Sequence, residues 1–297
     1  MTSDAQTEWA ERIRAALPGL SFTTLEIEDY GEDYHVLILD RAWVVRAPRT
    51  AEYLWRFEAE LSLVATLAPV SPLPVPAYEF VAADKNMGAY RLIAGVELTP
   101  PIFALMHADA QHAALARLGR FLTVLHALPE DTIRLPDGMI QRRWSGEQYA
   151  ARYRGMRRAK IVRVMPPATM ARFDAFHEAL AIERAYVPRL AHDDLTEDHI
   201  LAGADGTLAG VIDFGDAAWG DPASDFAWFW RLGEGCVDEV LSHYGHAALD
   251  PELKQPSRWN YARFLINQIA YGDAAKWNLS PDRAEAEVGA HLRALGF

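Results

Sequence analysis

Cysteine is almost absent from this chain of 297 residues: Cys236 stands alone. An intramolecular disulfide and a cysteine cluster for zinc are therefore excluded. Basic residues are outnumbered, with 29 Lys and Arg against 41 Asp and Glu and a formal net charge of -12. A nucleic-acid binder needs a basic footprint, so no nucleic-acid partner is expected. The acidity suits a soluble protein and leans toward cationic small partners. No run approaches the ~18 apolar residues that cross a bilayer. The start, Met1-Thr2-Ser3-Asp4 with Glu8, Glu11 and Arg12 behind it, has no apolar signal core. A cytoplasmic monomer without membrane association is expected. Neither G-x-G-x-x-G nor G-x-x-x-x-G-K-[ST] occurs, which removes the Rossmann and P-loop nucleotide sites.

What is present is an ordinary globular mixture, 51% hydrophobic and 24% charged, long enough to bury a core without staples. Trp9, Ile13, Ala16 and Leu17 recur at helical spacing up to Pro18-Gly19. Strands are predicted over 22–28, 34–39 and 43–47, an antiparallel meander with a turn at Asp40-Arg41. Leu54, Phe57, Leu61, Val64 and Leu67 share one helix face. Pro69, Pro72, Pro74 and Pro76 make a stiff connector, and a strand pair follows over 78–83 and 89–94. Beyond Gly95 the pattern turns helical, with helices around Leu115–Leu125 and over 173–185. The arginine-rich stretch 149–163 reads as a solvated helix face. A small sheet-rich lobe followed by a larger helical lobe is the organisation this predicts.

The densest polar constellation is His192-Asp193-Asp194-Leu195-Thr196-Glu197-Asp198-His199, followed by Ile212-Asp213-Phe214-Gly215-Asp216. Both clusters fall beside short strand-like runs, 200–202 and 208–212, on loops that a rigid scaffold positions. Turn and cap chemistry accounts for any one of these residues. So many carboxylates together are costly without a cation. Two chemistries compete. His192-Asp193 and Asp198-His199 fit a His/Asp metallohydrolase. Phosphoryl transfer needs one carboxylate beside the attacking hydroxyl and two ligands on a Mg²⁺ that bridges phosphates. It also needs a cation on the third strand of the small lobe, paired with a helix carboxylate. Arg46 and Glu60 stand in that order, ahead of the hinge and of both clusters, and favour phosphoryl transfer.

On these residues the chain resembles the aminoglycoside phosphotransferase family, which has the protein-kinase-like fold. The resemblance runs from about Tyr30 to Trp277. His192-Asp193-Asp194 followed by His199 matches the family's H-x-D-x-x-x-x-N loop, with His for the usual Asn. That His, in Asp198-His199-Ile200-Leu201, is similar to aminoglycoside 2″-O-phosphotransferases and macrolide kinases. Leu73-Pro74-Val75-Pro76, Gly95-Val96-Glu97-Leu98-Thr99-Pro100 and the stretch 212–218 with Asp221-Pro222 and Asp225 resemble the 2″ enzymes. Trp43–Pro48 looks closer to the macrolide kinases.

The resemblance implies an α+β fold of two lobes. Residues 1–94 would be a nucleotide-binding N-lobe with a small antiparallel sheet and a hinge about 89–95. Residues 95–297 would be a mostly helical C-lobe with catalytic loop, metal site and substrate cleft. The implied activity is Mg²⁺-dependent transfer of the γ-phosphate of GTP or ATP to a small-molecule hydroxyl. Asp194 would orient that hydroxyl and accept its proton, and His199 and Asp213 would hold Mg²⁺. Arg46 would contact the nucleotide phosphates, with Glu60 orienting it. Tyr90 falls at the gatekeeper position, with the backbone of Arg91 and Ile93 meeting the base, so GTP is expected to serve at least as well as ATP. His192 would organise the loop. Asp216, Asp221 and Asp225 would be architectural, Asp225 as a helix cap. Two departures stand out. Arg46 replaces the family lysine with a bulkier, forked cation. Tyr30-Gly31-Glu32-Asp33-Tyr34 has one glycine and two acids, so it is no glycine-rich phosphate cradle.

The expected acceptor is an aminoglycoside of the 2″ type. A macrolide or another metabolite is the alternative, and a catalytically weak nucleotide-binding pseudokinase a further one. Polycations need carboxylates in their cleft. The run 225–235 holds few of them and brings Trp228, Trp230 and Arg231 instead. Expected acceptor contacts are Trp230, Glu234 and Asp238, with Glu239, and then Asp273 and Trp277. Helix packing accounts for the two tryptophans equally well.

Overall fold

A computed structural model describes residues 3–28, 33–133, 135, 138–182, 184–271 and 281–297. The chain starts with helix α1 (Ser3–Ala16), then strands β1 (Leu25–Glu28), β2 (Tyr34–Leu39) and β3 (Trp43–Pro48). A 3-10 turn leads into α2 (Leu54–Leu67), followed by β4 (Tyr78–Val81) and β5 (Gly88–Arg91). These strands form one sheet in the order β1-β2-β3-β5-β4, antiparallel throughout.

The β2–β3 connection is tight because Asp40 and Arg41 both take positive φ, 50° and 51°, the backbone that matches the twist of a two-residue hairpin. Asp40 also explains why β1 starts at Leu25 and not at residue 22. Its carboxylate accepts from the backbone N–H groups of Thr23 and Thr24, which are thereby lost to a strand ladder.

The second half carries β6 (Val96–Glu97), α3 (Pro100–Leu105), α4 (Ala108–Leu125), α5 (Gly146–Arg152), a π-turn (Tyr153–Arg157), α6 (Arg158–Ile161) and α7 (Pro167–Leu180). Strands β7 (Arg189–Ala191), β8 (Ile200–Ala202), β9 (Leu208–Val211) and β10 (Ala218–Gly220) follow, then two 3-10 turns, α8 (Glu234–Ser242), α9 (Lys254–Tyr271) and α10 (Pro281–Ala294). The expected helix over 173–185 begins earlier, since Pro167 at its first turn is preorganised for helix. It ends at Leu180, and the chain then runs without helix toward β7.

Two hydrophobic cores result. The smaller packs Trp9 and Ile13 of α1, and Leu17 just beyond its end, against Leu37, Val45 and Ala89 of the sheet. The larger fills the helical half and also takes in Leu63, Val64 and Leu67 of α2, so α2 is the element that couples the sheet to the helices. Gly95 sits where the chain leaves the sheet. A Cβ there would meet the Ala202 carbonyl oxygen at 2.9 Å and Ala209 at 3.0 Å, so the close pass requires glycine. Among the described residues no helix is long and apolar enough to cross a membrane.

His177 of α7 lies inside the larger half, stacked on Tyr153 at 3.6 Å. Its Nδ1 donates to the Phe173 carbonyl at 2.7 Å, and its Nε2 has no partner. Burial, aided by the charges of Arg263 and Arg157 and opposed by Asp174, pushes its pKa down to about 4. An unfolded chain protonates histidine near 6.5. Across that window the unfolded state therefore binds the extra proton, and stability rises with pH. Denaturant unfolding is expected to show stability falling as pH drops from about 6.5 toward 4, by on the order of 3 kcal/mol for this group. The slope is expected to shrink in His177→Gln, and an unchanged slope would contradict this account.

Candidate active site

β3 reads Trp-Val-Val-Arg-Ala-Pro and is buried along all but its last residue. An unpaired guanidinium there would cost several kcal/mol. Arg46 instead donates from Nη1 to Glu60 Oε1 of α2 at 2.7 Å and from Nη2 to Asp213 Oδ1 at 2.9 Å. The ring of Tyr34 lies 4.0 Å from its guanidinium carbon, and the Tyr78 hydroxyl donates to the same Glu60 oxygen at 2.9 Å. Burial pushes Glu60 up, to about 7, against the pull of Arg46. Asp213 goes the other way: burial would raise it, but Arg46 and then His199 hold it well below the ordinary carboxylate range. Arg46 thus ties sheet, helix α2 and the Asp213 loop together.

The loop after β7 is held from beneath. Asp225 is fully buried and accepts from the backbone N–H groups of His192 (2.8 Å) and Asp193 (2.9 Å) and from His126 Nε2 (3.0 Å). Burial alone would raise its pKa; the hydrogen bonds from His126 and from the His192 N–H hold it below normal. Asp225 therefore caps no helix. Capping of the 3-10 turn Pro222–Phe226 falls to Asp221, which accepts from the Ala223 N–H at 2.9 Å and pairs with Arg184 at 2.8 Å. Asp193 and Asp213 both adopt positive φ, 61° and 65°, a costly backbone for a side chain with a Cβ. Arg143 pins Asp193 at 2.5 Å. His192 is buried, with Nε2 against the Ile212 carbonyl at 3.0 Å and its ring on Phe214. It joins the two loops, and burial pushes its pKa down to about 4, so it stays neutral.

Three expected residues converge on these loops. His199 Nδ1 donates to the Asp194 backbone carbonyl at 2.6 Å, and its Nε2 lies 3.6 Å from Asp213 Oδ2. That pair fits a Mg²⁺ ion, which takes one or two protein ligands and fills the rest with phosphate oxygens and water. Asp213 Oδ2 is the oxygen Arg46 does not use. Among the described residues no three His, Cys, Asp or Glu side chains are grouped to hold a metal. The metallohydrolase alternative therefore lacks a ligand cage there. Asp194 opens onto a cavity, its side chain 47% exposed. Enclosure by the surrounding protein, with Asp216, Asp213 and Asp193 nearby, pushes its pKa up to about 7, opposed by His199. Water in the open cleft tempers that shift, and the upward direction stands. Asp216 pairs with Arg56 of α2 at 2.9 Å.

The hinge residues lie elsewhere. Tyr90 is buried and meets Tyr78 edge to face at 5.2 Å. Arg91 and Ile93 border a groove of about 490 Å³ with Pro74 and Thr207. Arg91 itself covers Trp43 at 3.7 Å and pairs with Glu79. Asp33 and Tyr34 are described, while Tyr30, Gly31 and Glu32 lie outside the described residues.

The expected acceptor contacts do not gather at Asp194. The cavity there, about 520 Å³, contains none of Trp230, Glu234, Asp238 or Glu239 in its wall. Trp230 is buried, donates its indole N–H to Ser257 Oγ at 2.8 Å and lies under Arg258 at 4.0 Å. Glu234 and Asp238 are neutralised by Lys254 at 2.8 and 2.7 Å. Asp273 and Trp277 lie outside the described residues. Of Trp228 and Trp230, Trp228 is the one in the cavity wall, its N–H on Glu197 at 3.3 Å. Glu197 also accepts from Arg231 at 2.8 Å. The arginine-rich stretch is also not a solvated face throughout, because Arg152 and the buried Arg157 enter the same wall across the π-turn, a device that re-aims side chains at functional sites. No sequence pattern marked a role for Tyr78, His126 or Arg143, and Glu197 stood in the polar cluster without a role of its own. Each is recognisable only by the buried charge or loop it serves.

A family model described as the phosphotransferase enzyme family matches residues 26–265. The solved GDP complex of wild-type aminoglycoside 2'-phosphotransferase-IIIa is similar at 20% identity and a TM-score of 0.77, over 98% of this chain and 99% of that one. The streptomycin–ATP ternary complex of APH(2")-IIa is similar at 21% identity and 0.66, over 89% and 90%. Macrolide 2'-phosphotransferase MphH from Brachybacterium faecium is similar at 23% and 0.64, over 97% of both chains. At these identities the likeness is one of fold.

Asp225→Ala removes the shared acceptor of two backbone N–H groups and a buried histidine. Urea unfolding is expected to show a loss of about 3–5 kcal/mol. A loss below about 1 kcal/mol would mean the loop is held by other contacts.

Proposed function

Since the chain belongs to the phosphotransferase enzyme family, we propose that it transfers the γ-phosphoryl group of a nucleoside triphosphate, as the Mg²⁺ complex, to a hydroxyl of a small molecule. The observation that carries this reading is the buried Arg46, shared by Glu60 and Asp213, beside an Asp194 that faces an open cavity. Positioning and charge stabilisation are most of what phosphoryl transfer asks of a protein.

In this reading residues 1–94 form the nucleotide lobe and 95–297 the acceptor lobe. Arg46 shares its charge with the donor phosphates while Glu60 and Tyr78 fix its direction. Tyr90, Arg91 and Ile93 stand along the base. His199 and Asp213 would hold Mg²⁺, which when bound would neutralise phosphate charge. Asp194 accepts a hydrogen bond from the acceptor hydroxyl. The hydroxyl oxygen bonds to the γ-phosphorus, the bond to the bridging oxygen breaks, and the nucleoside diphosphate leaves. The hydroxyl proton passes to Asp194 and then to water. A carboxylate pKa raised toward neutrality suits that exchange. Asp225 and His192 act only by holding the loop.

Neighbours of like fold are known with GDP and with ATP, which supports either donor. An aminoglycoside acceptor is supported by the kanamycin complex of one neighbour. The wall beside Asp194 is the point against it, because its charge has the same sign as that ligand.

The test is transfer from Mg·GTP and Mg·ATP across aminoglycosides, macrolides and hydroxy acids. Asp194→Asn is expected to lower turnover about 10²–10⁴-fold with nucleotide affinity near wild type. A variant as active as wild type, or a wild type that binds neither nucleotide, would refute the reading.

A further inference from the structure

The cavity at Asp194 has a charge that the acidic sequence did not announce. Among the described residues its wall holds five arginines, Arg56, Arg142, Arg152, Arg157 and Arg263, against three aspartates, Asp193, Asp194 and Asp216, and no lysine or glutamate. Two of those aspartates are already matched: Asp216 by Arg56 and Asp193 by Arg143. Arg142 is matched by Glu130. Arg46, His199 and Asp213 are not in this wall, so the arginines do not belong to the nucleotide side of the site.

Arg152 and Arg263 differ from the rest. Neither makes an ion pair with a described carboxylate. Arg152 lies 4.9 Å from the ring of Trp144 and Arg263 3.9 Å from that of Tyr149, and both rings are in the wall. The Nε of each is buried without a partner. Burial, with Arg143 and Arg157 nearby and opposed by Tyr149 and by an Asp193 already paired with Arg143, holds the proton affinity of Arg263 below normal. Half-buried guanidinium groups without an anion are costly, and such a cost persists where a ligand supplies the missing charge. Planar, forked guanidinium groups match carboxylate and phosphate oxygens two at a time. The same wall holds buried side-chain oxygens with no donor, on Gln141, Asn267 and Gln268. Hydroxyl groups would satisfy them.

We infer that the acceptor is an anionic alcohol: a small hydroxylated compound carrying a carboxylate or phosphate, whose charge is taken by Arg152 and Arg263 while one hydroxyl reaches Asp194. This rests on the phosphotransferase reading and names the substrate class of the same site. A polycation would bring like charge to a wall rich in arginine, which costs affinity. The transfer itself is unchanged. The new phosphorus–oxygen bond forms at the acceptor hydroxyl, the bridging bond breaks, and the proton leaves through Asp194.

The test is calorimetric titration of the full chain, preloaded with Mg²⁺ and a non-hydrolysable nucleotide. The probes are 6-phosphogluconate, gluconate, glucose 6-phosphate and kanamycin. At least one of the three anions is expected to bind and kanamycin is not. Gluconate against glucose 6-phosphate tells a carboxylate site from a phosphate site. Arg152→Gln and Arg263→Gln are each expected to weaken the anion by about tenfold or more, with nucleotide affinity unchanged. Arg152→Glu is expected to reverse the preference, and it carries the test if Arg263→Gln fails to fold. Kanamycin binding better than every anion, no anion binding to nucleotide-loaded protein, or anion binding unaffected by the substitutions would overturn the inference and leave the phosphotransferase reading standing. Failure to load with either nucleotide would strike that earlier reading.

Discussion

Arg46 is a full positive charge in a strand that is otherwise apolar, and its place there depends on two carboxylates from distant parts of the chain. Glu60 comes from the helix that packs into the larger core, and Asp213 from the loop after β9. Removing either partner would leave buried charge unmatched, at a cost of about 3–5 kcal/mol. The contact therefore fixes three elements relative to one another. It also settles which oxygen of Asp213 is used for structure and which is left facing His199.

A second constraint sits below the first. Asp225 takes two backbone N–H groups of the loop that bears Asp194, and Arg143 holds the strained Asp193 next to it. Strain of this kind persists only where the surroundings over-determine it. Here the surroundings are buried charged groups, where each hydrogen bond is stronger than it would be at a surface. Asp194 is the residue left facing the cavity, while its neighbours are consumed in holding it.

Much of this could be read before any coordinates. The apolar runs of β2 and β3 and the Asp40-Arg41 turn are local signals, and the α2 face is a spacing signal. Arg46 and Glu60 stood out by their order ahead of the hinge, and Asp194, His199 and Asp213 by the dense polar clusters that hold them. The acceptor side was not legible. Its wall is assembled from the segments around 141–157 and 260–268, which no local pattern connects. Trp228 and Trp230 are two positions apart, yet one faces the cavity and the other packs on Ser257. Glu234 and Asp238 looked available because Lys254, their partner, is far along the chain. The net charge of -12 is a sum over the surface and says nothing of one wall.

The account stands or falls on Arg46 and Glu60 acting as a unit toward the nucleotide. The direct measurement is the affinity for Mg·GTP and Mg·ATP in Arg46→Met, Glu60→Gln and the double variant. The account predicts that each single change weakens binding and that the double change is no worse than Arg46→Met, a coupling of at least about 1 kcal/mol. Losses that simply add, or single variants that bind as well as the parent, would contradict it.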